Sequence, residues 1–160
     1  MGLSGVVLKK KENIDIKKII NDIKLATIKA GLQFRMGKEW KKYEDGTYDY
    51  LTVNIANTFE ADNQQQILLY VYGKSEDIYD SEYDWIIKEG RLNQVINIED
   101  FSGCEKMLLE FIYEYMTLNQ NDIFWDEMEW FYEYKDIQSI YNQKFDNDWC
   151  YKSPQKIDAE

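Results

Sequence analysis

Residues 32–56 read LQFRMGKEWKKYEDGTYDYLTVNIA, and this stretch decides the fold class. Leu51, Val53 and Ile55 alternate with Tyr50, Thr52 and Asn54, the period-two pattern of a strand with one packed face and one wetter face. Before them Asp45-Gly46 marks a hairpin, because the turn needs a positive φ that Gly and Asp tolerate. The spacing therefore predicts strands at Leu32–Met36, Glu39–Tyr43 and Tyr48–Ala56, with Gly37 separating the first two. A fourth run, Gln66–Tyr72, is apolar or aromatic on both faces and is expected in the sheet interior. Tyr83–Lys88 and Val95–Ile98 are weaker strand candidates.

On either side of these runs the period changes to that of a helix. Across 14–30, Ile16, Ile19, Ile20, Ile23, Ala26 and Ala30 form an apolar stripe, with Lys17, Lys18, Lys24 and Lys29 on the wet side. Asn13 is the expected N-cap, and Gly31 is suited to the left-handed residue after the helix. Across 103–117, Cys104, Met107, Leu108, Phe111, Ile112 and Tyr115 repeat the stripe behind a capping box at Ser102 and Glu105. A short helix from Lys135 to Gln143, with Ile137, Ile140 and Tyr141 inward, completes the reading. The expected class is α+β: a mainly antiparallel sheet of four or more strands, two long helices on one face and a short C-terminal helix. With 160 residues and neither linker nor repeat, residues 1–160 are expected to be one domain, its tail after 153 loose.

Composition narrows the function. The chain has no His, which removes Ser-His-Asp and Cys-His catalysis and the commonest zinc ligand. Cys104 and Cys150 do not make a metal cluster and are expected as reduced thiols. Neither a Gly-rich nucleotide loop nor a complete calcium loop occurs, Asp146-Asn147-Asp148 lacking the later Gly and closing Glu. No cofactor or metal is therefore expected. No apolar run reaches the roughly 20 residues of a membrane helix, and Val6–Leu8 precedes rather than follows Lys9, Lys10 and Lys11, the reverse of an export leader. A cytoplasmic location is expected.

Charge is unevenly placed. Residues 1–80 hold 12 Lys/Arg against 12 Asp/Glu and residues 81–160 hold 7 against 18, so the whole net charge of −11 falls in the second half. A surface of that sign repels nucleic-acid phosphate and anionic membrane and speeds encounter with a basic protein. The densest part is residues 121–136, NDIFWDEMEWFYEYKD, where aromatic and acidic side chains interleave. Trp and Tyr anchor interfaces, and carboxylates around them pair with Arg and Lys. The expected partner-binding residues are Asp122, Trp125, Asp126, Glu127, Glu129, Trp130, Tyr132, Glu133 and Asp136, with the acids exposed because unpaired buried carboxylates cost too much. Two other classes remain open: a carbohydrate or small-molecule binder that stacks ligands on these aromatics, and a hydrolase that uses a carboxylate pair. Tyr79, Tyr83 and Trp85, among Asp80, Glu82 and Asp84, form a second acidic-aromatic candidate.

Residues 100–143, DFSGCEKMLLEFIYEYMTLNQNDIFWDEMEWFYEYKDIQSIYNQ, combine a helix, a Leu-Asn-x-x-Asp turn, the aromatic-acidic stretch and a Tyr-x-Asp-Ile helix start. This segment resembles the C-terminal part of small acidic cytosolic proteins encoded beside bacterial polymorphic toxins as their immunity proteins. The resemblance implies stoichiometric, non-catalytic binding of a toxin domain, often a basic nuclease, by an acidic surface.

Overall fold

The computed structural model describes residues 4–60, 65–73, 92–127 and 130–154. Among these residues seven strands form one antiparallel sheet: β1 (Gly5–Lys10), β2 (Gln33–Lys42), β3 (Tyr48–Ala56), β4 (Gln66–Tyr72), β5 (Leu92–Ile98), β6 (Ile123–Trp125) and β7 (Phe131–Tyr132), in the order β2-β3-β4-β5-β1-β6-β7. The described residues also form the α-helices α1 (Ile16–Lys29), α2 (Glu105–Leu118) and α3 (Tyr134–Tyr141). The α+β class and the antiparallel sheet are as the sequence predicts.

β3 and β4 coincide with their predicted spans, and Val95–Ile98 lies within β5. The two predicted strands around Gly37 are one strand, β2, whose pairing with β3 slips between Met36 and Trp40. Gly37 makes that bulge possible, since a Cβ there would lie 2.0 Å from Thr52 Oγ1. At the hairpin tip Gly46 has φ +89, and Asp45 Oδ1 accepts from Thr47 N at 2.9 Å, the turn chemistry that Asp-Gly supplies. Tyr83–Lys88 and the Tyr79–Trp85 candidate lie outside the described residues.

β1 is the strand that pattern reading passes over. Val6–Leu8 is too short for a strand signal, yet β1 lies inside the sheet, paired with β5 and β6. Its alternation serves both sides. Val7 joins the main core, whereas Val6 and Leu8 pack with Leu92, Ile123, Trp125 and Phe131 in a second cluster.

The main core unites alternate strand residues (Leu51, Val53, Ile55, Leu69, Val71) with the helix stripes (Ile19, Ile23, Ala26, Leu108, Phe111, Ile112). All of these are at most 2% exposed, so truncating Ile23 or Leu108 to Ala would cost about 2–5 kcal/mol through lost burial and the cavity left. α1 and α2 pack against each other, each 14 residues and shorter than predicted. The N-cap of α1 is Asp15 rather than Asn13, its carboxylate accepting from Lys17 N and Lys18 N, and Gly31 takes φ +74 as expected. α2 starts after Cys104 without a side-chain cap. The predicted Ser102 box does not form, because Glu105 Oε2 accepts instead from Gly103 N at 3.1 Å and Tyr151 OH at 2.6 Å. A capping box does occur at α3, between Glu133 and Asp136. Tyr141, predicted inward, is 40% exposed and stacks on Tyr113 at 3.8 Å.

Candidate functional site

The stretch that sequence reading singles out folds as a small hairpin. β6 pairs with β1 on one side and β7 on the other, setting Phe124 opposite Tyr132 and Trp125 opposite Phe131. Paired residues point the same way, so the aromatics divide into two sets. Phe124 and Tyr132 enter the main core, with ring centroids 6.0 and 5.7 Å from that of Trp149. The Tyr132 hydroxyl donates to Lys152 O at 2.8 Å, and burial raises its pKa far above the ordinary phenol value. Trp125 and Phe131 stack on the other side, their ring centroids 5.3 Å apart and their planes nearly parallel, over Val6 and Leu8. Trp130 is half-buried against the main core.

The acids divide as well, and the expectation that they are exposed as a group is corrected for three of them. Asp122 is buried beside Lys9 of β1, its Oδ1 3.0 Å from Nζ, and its Oδ2 accepts from Tyr115 OH at 3.1 Å. Lys9 also donates to Asn119 Oδ1 at 3.0 Å, and Asn119 Nδ2 donates to Asp22 Oδ2 at 3.2 Å. Lys18 closes this network on Asp22 at 2.5 Å. Burial raises the Asp122 pKa above the ordinary carboxylate value, outweighing the lowering by Lys9 and Tyr115. Asp126 is buried and accepts from Trp130 N at 3.3 Å across the β6–β7 turn. Asp136 is buried and accepts from Glu133 N at 2.9 Å in the α3 cap. Donors within the chain offset the desolvation cost of Asp122 and Asp136, and the Trp130 N–H serves one oxygen of Asp126. Asp122, Asp126, Asp136 and Tyr132 are thus buried and hydrogen-bonded within the chain.

Glu127 and Glu133 are exposed, and Glu129 lies outside the described residues. Glu133 is 3.6 Å from Lys135, a solvent-exposed pair of little strength. Glu127 is the more unusual residue. Its φ of 61 puts it in the left-handed region, uncommon for a non-glycine residue and costly to hold. Partial burial of its carboxyl, and then the charge of Glu99, raise its pKa above the ordinary value. Among the described residues neither Glu99 nor Glu127 has an ion-pair partner. Among the described residues the β6–β7 turn thus carries an acidic corner without an ion-pair partner, beside the stacked Trp125.

A second feature, absent from the sequence reading, lies across the sheet. The β2 bulge opens a cleft of about 470 Å³ lined by Arg35 to Glu39 of β2, Thr52 and Asn54 of β3, and Gln66 and Leu68 of β4. The register pairs Arg35 with Asn54 and Asn54 with Leu68, which aligns their side chains on one side of the sheet. The Arg35 guanidinium lies 4.1 Å from the Phe59 ring centre, Asn54 Oδ1 accepts from Gln66 Nε2 at 2.5 Å, and Glu39 Oε2 accepts from Tyr70 OH at 3.3 Å. The only sequence sign of this site was Gly37, which reads equally well as a break between strands.

Among the described residues no group of three His, Cys, Asp or Glu side chains could hold a metal ion, and no helix is long and apolar enough to cross a membrane. Comparison with known proteins finds nothing similar: no family model, no curated protein and no solved structure matches the chain.

Proposed function

We propose that this chain is a binding protein that captures and neutralises a protein partner with a basic surface at the acidic corner of the β6–β7 turn. Its resemblance to immunity proteins makes a cognate bacterial toxin domain the preferred partner. The observation that carries the reading is the pair Glu99 and Glu127: burial and then the charge of Glu99 raise the Glu127 pKa, and among the described residues neither carboxylate has an ion-pair partner. A partner's Lys or Arg at this corner removes the repulsion, which makes the site complementary to positive charge before any contact forms. Exposed Glu133 extends the acidic surface, and the half-buried Trp125 and Trp130 supply apolar area beside it.

The test compares association of wild type and a Glu127→Lys/Glu133→Lys variant with the basic protein recovered by affinity capture, at two salt concentrations. At low salt the variant is expected to associate about tenfold more slowly, the gap narrowing at high salt as the Debye length shrinks. Equal rates at low salt, for a folded variant, would reduce the acidic corner to a solubilising surface.

A further inference from the structure

We propose that the cleft at the β2 bulge is a second, separate ligand site, one that takes a small organic anion bearing a carboxylate or phosphate group. Two cations, Arg35 and Lys38, line it. Among the described residues neither has a carboxylate partner, and the one carboxylate in the lining, Glu39, already accepts from Tyr70 OH. Lysines on an edge strand ordinarily only guard the edge against pairing with another chain, and Lys41 and Lys42 fit that role. Arg35 differs because its guanidinium carbon lies over the Phe59 ring, 4.1 Å from its centre, while the Phe59 backbone is itself tied to β2 by its N–H donating to Gln33 Oε1 at 2.9 Å. A guanidinium oriented in this way keeps its planar fork of donors in place, so less freedom is lost when it grips an oxyanion bidentately.

The rest of the lining describes the body of the ligand. Asn54 and Gln66 offer amide groups on the floor, and Leu68 supplies an apolar wall. The volume of about 470 Å³ lies within the range of small-molecule sites. Shape and chemistry both depend on the bulge, which only glycine at position 37 permits next to Thr52. The site is on the β2 side of the sheet and the acidic corner on the β6–β7 side, so either can fail in a test without affecting the other.

Amide-resolved NMR titration of the full chain separates the outcomes, with inorganic phosphate, glucuronate and glucose as probes. Phosphate, glucuronate or both are expected to give saturable shifts at the Gly37 backbone amide and the Asn54 and Gln66 side-chain amides, and the one that binds identifies the head group. Glucose, which has the hydroxyls without the charge, is expected to give none. Arg35→Gln should weaken binding about tenfold, equivalent to 1.4 kcal/mol, and Arg35→Lys should recover part of the loss. Lys41→Gln, on the same strand outside the cleft, should leave affinity unchanged. The proposal is overturned if neither anion gives saturable shifts, if glucose shifts the same amides as strongly, or if Arg35→Gln, shown folded by its spectrum, binds as well as wild type.

Discussion

The two edges of the sheet carry opposite charge and use it differently. β2 is ten residues long and mostly exposed, and its Arg35 and Lys38 have no carboxylate partner among the described residues. β7 is two residues long, and around it Asp122, Asp126 and Asp136 are buried on donors of the chain itself. Formal charge is denser at the second edge, but most of it holds the structure together. What marks a charge as available for recognition is the lack of an internal partner, and by that measure Glu127 at one edge and Arg35 at the other stand out.

The largest expected effect strikes the buried charge that the second edge depends on. Lys9→Met leaves Asp122 buried without its cation and should lower unfolding free energy in urea by about 3–5 kcal/mol, whereas Lys9→Met/Asp122→Leu should lose much less. If the double variant is as unstable as the single, the network does more than neutralise its own burial. Gly37→Ala at the first edge should cost about 1–3 kcal/mol, since its Cβ meets Thr52 Oγ1 and displaces the bond from that hydroxyl to Glu39 O. Asp136→Ala removes half of the α3 capping box and should cost about 1 kcal/mol by thermal unfolding. Glu127→Lys/Glu133→Lys should leave stability within about 0.5 kcal/mol of wild type, separating the exposed acids from the buried ones.

Asp122 adds a pH dependence with a definite sign. Its folded-state pKa is raised, so it binds its proton more tightly in the folded chain than in the unfolded one. The stability it contributes is present below the unfolded value of about 3.9 and lost as pH rises through the higher folded value. Asp122→Asn should flatten that part of the stability profile, and an unchanged slope would show that other carboxylates set it.

How much of this was legible depended on whether the deciding contact was local. β3, β4 and the inward stripe of α2 could be read because alternation and helical spacing lie within a few residues. β1 could not, since Lys9 looks like part of a solvated lysine run until Asp122, 113 positions away, buries it. The exposure assigned to Asp122, Asp126 and Asp136 failed for the same reason, each carboxylate finding donors that only the folded chain supplies. The capping box shows the pattern rule misplacing a real device: Ser102-x-x-Glu105 fits the motif and does not form, while Glu133 and Asp136 form one from a residue type seldom favoured as an N-cap.

The position of β1 bears on how the chain reaches this structure. A strand made of residues 5–10 completes its hydrogen bonding only with residues 92–98 on one side and 123–125 on the other. During synthesis the hairpins of β2, β3 and β4 can form while β1 still lacks both neighbours, its apolar side chains uncovered on either side. Closing the sheet therefore requires long loops to be ordered late, which slows folding and exposes the early strand to non-native pairing. Lys9 to Lys11, just beyond its apolar residues, supply the kind of charge that discourages such pairing while the strand waits.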